Sequence, residues 1–573
     1  MKRRYLWLLS ILSGVLLACA WPTGGFAPLV FVAWIPLLWV EDYVLRQQNA
    51  RDAEEPRGTE TTRKKAHPRY HLFLYAFSAF LVWNMLTTWW IWNSTPAATL
   101  AFTANAALMA GVFSLFHYSC RHFFKQGMRY ILLFVYWLAF EFFHLHWDLS
   151  WPWLTLGYVF ALMPSIVQWY EITGPLGGSL WVLACNVALF FVVKSFCKNA
   201  VGAAPAVSKR RSLITAACLI FLPIAGSLIR YATYREHGQE TEVVVVQPNI
   251  DPYHEQFVLT STETTQRMLQ LAQERTTPQT RFIVTPESMI QEYVWEDELP
   301  YSSVSLGFIH KFLQGNPNMR FVAGISSFTH VEAKDSSDVG VRRLRYVSDP
   351  EKKFYKAHNS VISVSGDFSR PIPIHHKSRL TPGIEIMPFA GKVKFIEKLA
   401  VDLGGTVGTL GVDQGPHVFA EEGDTMPKFS DIICYESIFP DYVASCVNAG
   451  AELLFVSTND GWWGNTPGHR QHASYARLRA VENRRDIARS ANTGISCFIN
   501  QRGDVFQATD YWQPACIRAT LHASSRLTFY ARYGEILGRC SLFISLFFLL
   551  LTFIYRLLPQ AWRDFGNKKS PVE

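Results

Sequence analysis

The sequence predicts a polytopic α-helical membrane domain of about eight spans carrying one α/β water-soluble domain. Three observations lead there. Hydrophobic residues make up 49% of the 573-residue chain and aromatics 14%, more than an ordinary soluble protein carries. The excess is confined to the two ends, in long apolar runs over 5–230 and 536–556. Between them the composition is that of a globular domain with apolar runs of strand length.

A spanning helix needs about 20 mostly apolar residues. Stretches of that kind occur at 5–22, 26–45, 71–92, 97–119, 129–147, 165–193, 211–230 and 536–556. Loop charge tests the count, because Lys and Arg accumulate in short cytoplasmic loops. Lys2, Arg3 and Arg4 precede the first span, and Arg46, Arg51, Arg57, Arg63, Lys64, Lys65 and Arg69 follow the second. Arg121, Lys125 and Arg129 follow the fourth, Lys194, Lys198, Lys209, Arg210 and Arg211 the sixth, and Arg556, Arg563, Lys568 and Lys569 the eighth. The alternate connections, such as "WPTGG" and "NSTPAAT", carry no Lys or Arg. Every second loop is basic, so eight spans are self-consistent. The domains expected are a seven-helix membrane domain at 1–230, an outer domain at 231–535 on the periplasmic or extracellular face, a last span at 536–556 and a cytoplasmic tail at 557–573. "MKRRYLWLLSILSGVLLACA" also has the outline of a cleavable secretory signal ending at Cys19, but an uncleaved first helix is what makes the loop charges agree.

Of the ten cysteines, Cys19, Cys120, Cys185, Cys197, Cys218 and Cys540 lie in or beside spans, where a thiol is a small apolar residue. Cys434, Cys446, Cys497 and Cys516 fall in the outer domain, with neither a CxxC pair nor a His/Cys spacing that suggests zinc. His469 and His472 read as surface or hydrogen-bonding residues. "GGTVGTLG" at 404–411 lacks the Lys-Ser/Thr ending of a phosphate loop and reads as a loop. The net charge of +8 belongs largely to the cytoplasmic loops and does not argue for nucleic acid.

In the outer domain "EVVVVQPNI" (242–250), "RFIVTPES" (281–288), "DIICYES" (431–437), "ELLFVSTND" (452–460) and "GISCFINQRG" (494–503) read as buried strands with polar C-terminal ends. Helices are expected at 261–275 and 471–489. Functional groups in such sheets collect beyond the carboxyl ends of strands, which singles out Glu287, Cys434 and Glu436, with Lys377 within reach of the same edge. A cysteine is nucleophilic as thiolate: a carboxylate can take its proton and an ammonium favours its charge. An ammonium also stabilises the oxyanion of an attacked carbonyl. Cys, Lys and Glu thus make an acyl-transfer site without metal. Singly, each has a bland reading: strand packing for Cys434, a solvated charge for Lys377, a turn acceptor for Glu287.

"TPES" around Glu287, "HHKSRLTPGIEIMPF" around Lys377 and "ICYESIFPD" around Cys434 resemble, in order, the three signatures of the nitrilase (carbon-nitrogen hydrolase) superfamily. "STNDGWWGNTPGHRQHASYARLRAVENRRDIARSANTGIS" at 457–496 is similar to its bacterial membrane-bound branch, the apolipoprotein N-acyltransferases. The resemblance implies an α-β-β-α sandwich, with Glu287 as general base, Lys377 as oxyanion-stabilising cation and Cys434 as nucleophile. It makes Glu385 and Glu436 supporting carboxylates and puts Trp462 and Trp463 on the lipid-access side. Pro382-Gly383-Ile384-Glu385 departs from the family's usual Pro-Phe-Gly-Glu, which leaves the turn geometry open. The implied reaction moves an acyl chain from a glycerophospholipid through a Cys434 thioester to the α-amino group of a diacylglyceryl apolipoprotein. It needs no cofactor or metal and is expected of a monomer in a bacterial inner membrane with the catalytic domain in the periplasm. A membrane-tethered amidase, or a transporter with a non-catalytic outer domain, are the other classes. A lid over 391–428 and structural roles for Glu141 and Glu171 complete the expectations.

Overall fold

The computed structural model describes residues 2–54, 71–123, 128–197, 209–256, 258–316, 318–335, 338–344, 353–386, 409–420 and 426–557. The basic residues expected at 57–69, Lys125, Lys198, the tail beyond 557, most of "GGTVGTLG" and most of the expected lid over 391–428 lie outside the described residues.

Seven described helices are long and apolar enough to cross a bilayer: Arg3–Ala20, Ala27–Ala50, Leu72–Asn93, Ala98–Cys120, Tyr170–Phe196, Lys209–Thr233 and Ile536–Tyr555. The span expected at 129–147 is shorter than the sequence suggests. Its helix, Tyr130–His144, has 15 residues, about 22 Å at 1.5 Å per residue, below the roughly 30 Å of a hydrocarbon core. The aromatic run that follows folds instead into short 3-10 turns at Pro152–Leu154 and Leu156–Phe160. Glu141 ties the helix to them: one carboxylate oxygen accepts from Trp137 Nε1 (2.8 Å) and from the Leu156 backbone N–H (2.9 Å). The span expected from 165 begins as a helix only at Tyr170, with a break at Gly174 ahead of Pro175. Two of the expected loop cations are not free. Arg129 is buried against Glu41 in a bidentate pair (3.0 and 2.7 Å), and Lys194 bonds Asp42 at 2.8 Å.

The strands of the α/β domain are β1 (Gln239–Gln247), β2 (Thr280–Val284), β3 (Ile290–Trp295), β4 (Arg320–Val331), β5 (Arg342–Arg343), β6 (Phe354–Val364), β7 (Ile374–His376), β8 (Phe429–Ile433), β9 (Leu453–Thr458), β10 (Ile487–Ala491), β11 (Cys497–Ile499), β12 (Val505–Phe506) and β13 (Ala515–Ala523). Among the described residues they form two sheets. One runs β13-β1-β2-β4-β6-β5, with β3 on β4 and β7 on β6; the other runs β12-β11-β10-β9-β8. β1, β2 and β4 are mutually parallel, as are β8, β9 and β10.

The layers follow from which side chains alternate inward. Val243, Val245, Phe282 and Val284 of the first sheet meet Phe429, Ile433, Leu453 and Phe455 of the second. The outer face of the first sheet is covered by helices Ser261–Arg275 and Val304–Leu313 through Met268, Ala272, Leu306 and Ile309. Helices Pro440–Asn448 and Pro467–Asn483 cover the second. The result is an α-β-β-α sandwich whose last helical layer does not face water. Its core, with Ile432, Tyr475 and Leu478, continues without a break into Trp21, Trp83 and Tyr158 of the membrane domain.

Helix Pro467–Asn483 is therefore enclosed on both sides, although its sequence is polar. Tyr475 donates to the Trp153 carbonyl (2.7 Å) and accepts from Trp21 Nε1 (3.2 Å), while Gln471 accepts from Trp90 Nε1 (3.2 Å). Arg479 and Tyr158 both donate to the Ile438 carbonyl (3.0 and 2.6 Å). The helix expected over 471–489 ends at Asn483, because Arg484 takes the left-handed conformation (φ 50°) and the chain turns into β10. The arginines in this stretch mimic an exposed helix face. In fact Arg479, Arg485 and Arg489 are among the largest fully buried side chains.

Arg484 joins the layers from the other end: it donates to Glu171 (2.6 Å) and to the Gln168 side chain (2.7 Å). Glu171, which also pairs with Arg230 at 2.7 Å, is the structural carboxylate expected. Removing one partner of a buried pair leaves the other charge uncompensated. Glu171→Ala should lower stability by about 3 kcal/mol, read as a fall in the melting temperature of the detergent-solubilised protein. Glu171→Gln, which keeps an acceptor, should recover part of the loss.

Candidate active site

Glu287, Lys377 and Cys434 come from three strand ends: three residues past β2, directly after β7 and directly after β8. The turn carrying Glu287 lies flat on β4 at Gly324, where an added Cβ would fall 2.4 Å from the Pro286 carbonyl oxygen and 2.8 Å from Glu287 Cα. Only glycine allows that approach, and it aims Glu287 back across the sheet edge. Lys377 Nζ donates to Glu287 at 2.8 Å and to Glu385 at 2.9 Å. Asn359 of β6 donates to both carboxylates, at 2.8 Å each. Asn359 escaped the sequence reading; its one signal is a polar side chain within the apolar alternation of "FYKAHNSVISV".

The departure at Pro382-Gly383-Ile384-Glu385 does not displace Glu385. Thr381 N–H donates to the Glu385 carboxylate (2.8 Å), and the turn closes through the Glu385 N–H to the Thr381 carbonyl (2.9 Å). Lys377 is buried, which opposes its charge, yet Glu287 and Glu385 outweigh that and hold its pKa well above the usual lysine range. Burial likewise opposes ionisation of Glu385, but Lys377 and the Thr381 N–H bring its pKa below the ordinary value.

Glu436, a supporting carboxylate by resemblance, makes its bonds to backbone. It is fully buried, and its oxygens accept three backbone N–H groups: Ser378 (2.5 Å), Arg379 (3.1 Å) and Ile433 (2.8 Å). It thus ties the turn after Lys377 to the strand that ends at Cys434. That register is what brings the ammonium and the thiol to one edge.

Cys434 has φ 51°, a left-handed conformation that costs a residue with a Cβ about 1–2 kcal/mol. Its carbonyl is held by Ser437 Oγ (2.7 Å) and by His472 Nε2 (3.1 Å). His472 Nδ1 meets Asp460 at 2.9 Å, and Arg489 meets the other Asp460 oxygen at 2.7 Å. Burial would raise the Asp460 pKa, but Arg489 and His472 hold it far below the usual range. His472, for which the sequence left a surface or a hydrogen-bonding place open, is therefore not at the surface but a buried support of the strained turn. Its neighbour His469 is also fully buried and stacks on Tyr511 at 4.1 Å. Thr458 Oγ1 lies 3.2 Å from Cys434 Sγ. Burial and the Glu287 charge push the thiol's pKa well above the ordinary value, and Lys377 pulls it back.

The thiol faces a cleft with two kinds of wall. Thr381, Pro382, Ile384 and His472 come from the sandwich; Ile91, Ser94, Trp151 and Trp153 come from the membrane domain. Trp463 joins them, its ring 4.8 Å from Trp90 and its carbonyl accepting from Asn93 (2.9 Å). Trp462 turns away to Tyr253, with ring centroids 5.5 Å apart. Of the two tryptophans expected at the lipid side, the structure brings Trp463 to the cleft.

Beside Lys377 lies a histidine cluster that the sequence reading did not assemble. Asp413 accepts from His375 (3.0 Å) and His376 (2.8 Å), and Glu296 lies 2.8 Å from the other nitrogen of His376. Glu296, His358 and His376, or His375, Asp413 and His417, are close enough to be considered as metal ligands. However, His358 stacks on His376 at 4.0 Å and His417 on His375 at 5.1 Å. Stacked imidazoles direct their lone pairs side by side rather than toward one ion, so the cluster is better described as hydrogen-bonded ion pairs. Burial works against the charge of both histidines, but the facing carboxylates raise each pKa from 6.5 to about 9. Since the folded value lies above the unfolded one, the stabilisation is complete below about pH 6.5 and is lost as pH climbs through about 9. Melting temperature should fall over that window, and Asp413→Asn should flatten the slope.

Residues 13–188 match the family described as apolipoprotein N-acyltransferase N-terminal domain, and residues 242–528 match the carbon-nitrogen hydrolase family, half of the chain. An apolipoprotein N-acyltransferase of Chlorobaculum tepidum is 28% identical over 551 residues, covering 94% of both chains. Those of Geobacter metallireducens and Allorhizobium ampelinum are each 27% identical, over 92% of both chains and over 87% of this chain and 86% of the relative. These bacterial relatives share both the membrane part and the sandwich, so the long apolar helices are those of a bacterial membrane protein. The chain belongs to the apolipoprotein N-acyltransferases, acyltransferases of the carbon-nitrogen hydrolase superfamily.

Proposed function

We propose that this protein transfers a fatty acyl chain from a glycerophospholipid to the α-amino group of a diacylglyceryl-cysteine at the N-terminus of an apolipoprotein, through a thioester on Cys434. The observation that carries this reading is the two-walled cleft. The thiol opens between the sandwich and the ends of the membrane helices, so an acyl chain can reach it without leaving apolar surroundings. Drawing a chain into water costs about 0.8 kcal/mol per CH₂, and a site open only to solvent would impose that twice per turnover.

The chemistry follows from the charges. Glu287 takes the Cys434 proton as the sulfur attacks the sn-1 ester carbonyl. The oxyanion forms beside the Lys377 ammonium, already positioned by Glu287, Glu385 and Asn359, so little reorganisation accompanies the charge. Collapse breaks the bond to the glycerol oxygen, which leaves with the proton held by Glu287 as lysophospholipid. The acceptor amine then attacks the thioester and yields its proton to Glu287. Collapse forms the amide and expels the thiolate, which recovers that proton. The alternating basic loops support placing the sandwich on the periplasmic side of a bacterial inner membrane, where both lipid-anchored substrates lie. The same three residues would serve an amidase, but a hydrolase of small amides has no use for a wall of membrane helices.

Incubation with phospholipid alone should add one acyl mass to the intact protein, removable by hydroxylamine and absent in Cys434→Ala; an unmodified wild-type chain overturns the thioester. Release of free fatty acid in the presence of a lipopeptide amine, without amide product, favours the hydrolase. Glu287→Gln should reduce kcat by about 10³-fold. Glu385→Gln, which only positions Lys377, should reduce it about tenfold with KM unchanged.

A further inference from the structure

Away from the Cys434 cleft, a cavity of about 340 Å³ opens where helix Lys209–Thr233 enters the α/β domain. Its lining has four arginines, Arg230, Arg235, Arg484 and Arg526, against one glutamate, Glu171. Arg484 and Arg230 are engaged with that carboxylate. Arg235 and Arg526 are exposed, and among the described residues neither has a side-chain hydrogen bond or ion pair. Two unengaged guanidiniums lining one cavity, beside two more that share a single carboxylate, leave a surplus of positive charge suited to an anion such as a phosphate.

The same helix has a second feature, an apolar groove lined by Ile214, Cys218, Leu219, Leu222 and Pro223. Among its residues only Ala216 and Ser227 are buried, so the groove is open to the bilayer. Leu219 and Pro223 of the groove, Gly226 and Arg230 of the cavity wall fall within about 60° of one another around the helix axis. Gly226, between groove and cavity, has open space where a Cβ would stand, so nothing interrupts the path. Arg230, on the cavity wall, lies seven residues beyond Pro223, about 10 Å along the axis, so cavity and groove are close enough for one lipid molecule to occupy both. Leu527 on the cavity wall and the nearby Phe529 are exposed, adding apolar surface at the membrane boundary.

We infer that this cavity and groove together hold one anionic glycerophospholipid, its phosphate on Arg235 and Arg526 and an acyl chain along Ile214–Pro223, as a bound lipid distinct from the substrate. The surplus of guanidinium charge selects an anionic headgroup over a zwitterionic one, whose own cation meets the arginines. Held there, the lipid braces a helix that packs little against protein and fastens the sandwich to the membrane surface.

The test uses the full-length protein, delipidated in detergent and titrated with phosphatidylglycerol, phosphatidylcholine or inorganic phosphate, with retained lipid read by native mass spectrometry. Phosphatidylglycerol is expected to bind about tenfold more tightly than phosphatidylcholine. The Arg235→Gln/Arg526→Gln variant should lose that preference, and Gly226→Leu, which blocks the path, should weaken retention while leaving the arginines intact. Acylation of Cys434 in detergent-presented substrate should be the same in all three proteins, which separates this site from the catalytic one. Unchanged phosphatidylglycerol retention in the double arginine variant overturns the inference. So does competition by millimolar inorganic phosphate, which would make the cavity a site for the free anion.

Discussion

The constraint on which the rest of this structure depends is the enclosure of a polar helix. Pro467–Asn483 lies between the second sheet and the membrane domain, with Gln471, His472, Arg479 and Glu482 all removed from water. Buried polar groups are tolerated chiefly when paired: Glu482 pairs with Arg479 within the helix (2.6 Å), and the others find partners on one side or the other. Trp21, Trp90, the Trp153 carbonyl and Tyr158 answer from the membrane side; Asp460, Ser437 and the Ile438 carbonyl answer from the sandwich. The domains therefore share a single interior and cannot slide past one another as tethered bodies would.

That shared interior is also what holds the reactive cysteine. Cys434 occupies a backbone conformation unfavourable for its type, and the strain is held by His472 on the enclosed helix, by Ser437 and by the three N–H bonds of Glu436. The carboxylates around Lys377 complete the arrangement from the first sheet. The cation is already surrounded by acceptors before substrate arrives, which fixes the ammonium and keeps it charged. The thiol, by contrast, has its pKa pushed upward by burial and by the Glu287 charge.

Much of this was legible in the chain. Apolar length disclosed the membrane helices, and the three motifs singled out Glu287, Lys377 and Cys434, which the fold places at strand ends. Where the reading erred, a long-range contact was responsible. The stretch after Asn483 carries the charge pattern of a solvated helix, yet Arg484 breaks it and Arg489 enters the core, because Asp460 waits there. The helix Tyr130–His144 stops short because Glu141 recruits the following segment back onto it. Glu436 is a supporting carboxylate by resemblance, and which backbone groups its oxygens take, those of Ser378, Arg379 and Ile433, follows only from the folded chain.

The class of architecture, the candidate trio Glu287, Lys377 and Cys434 and their order along the chain can be read from the linear sequence, since periodicity, charge and short motifs are local properties. Only the tertiary structure decided how Glu385 reaches Lys377 through an unusual turn, that Trp463 rather than Trp462 walls the cleft, and that Asn359, His472 and Asp460 belong to the site. Those outcomes depend on which distant backbone groups and charges meet once the two sheets close. A buried polar atom takes whatever partner the closed layers offer, and the linear order of residues does not carry that information.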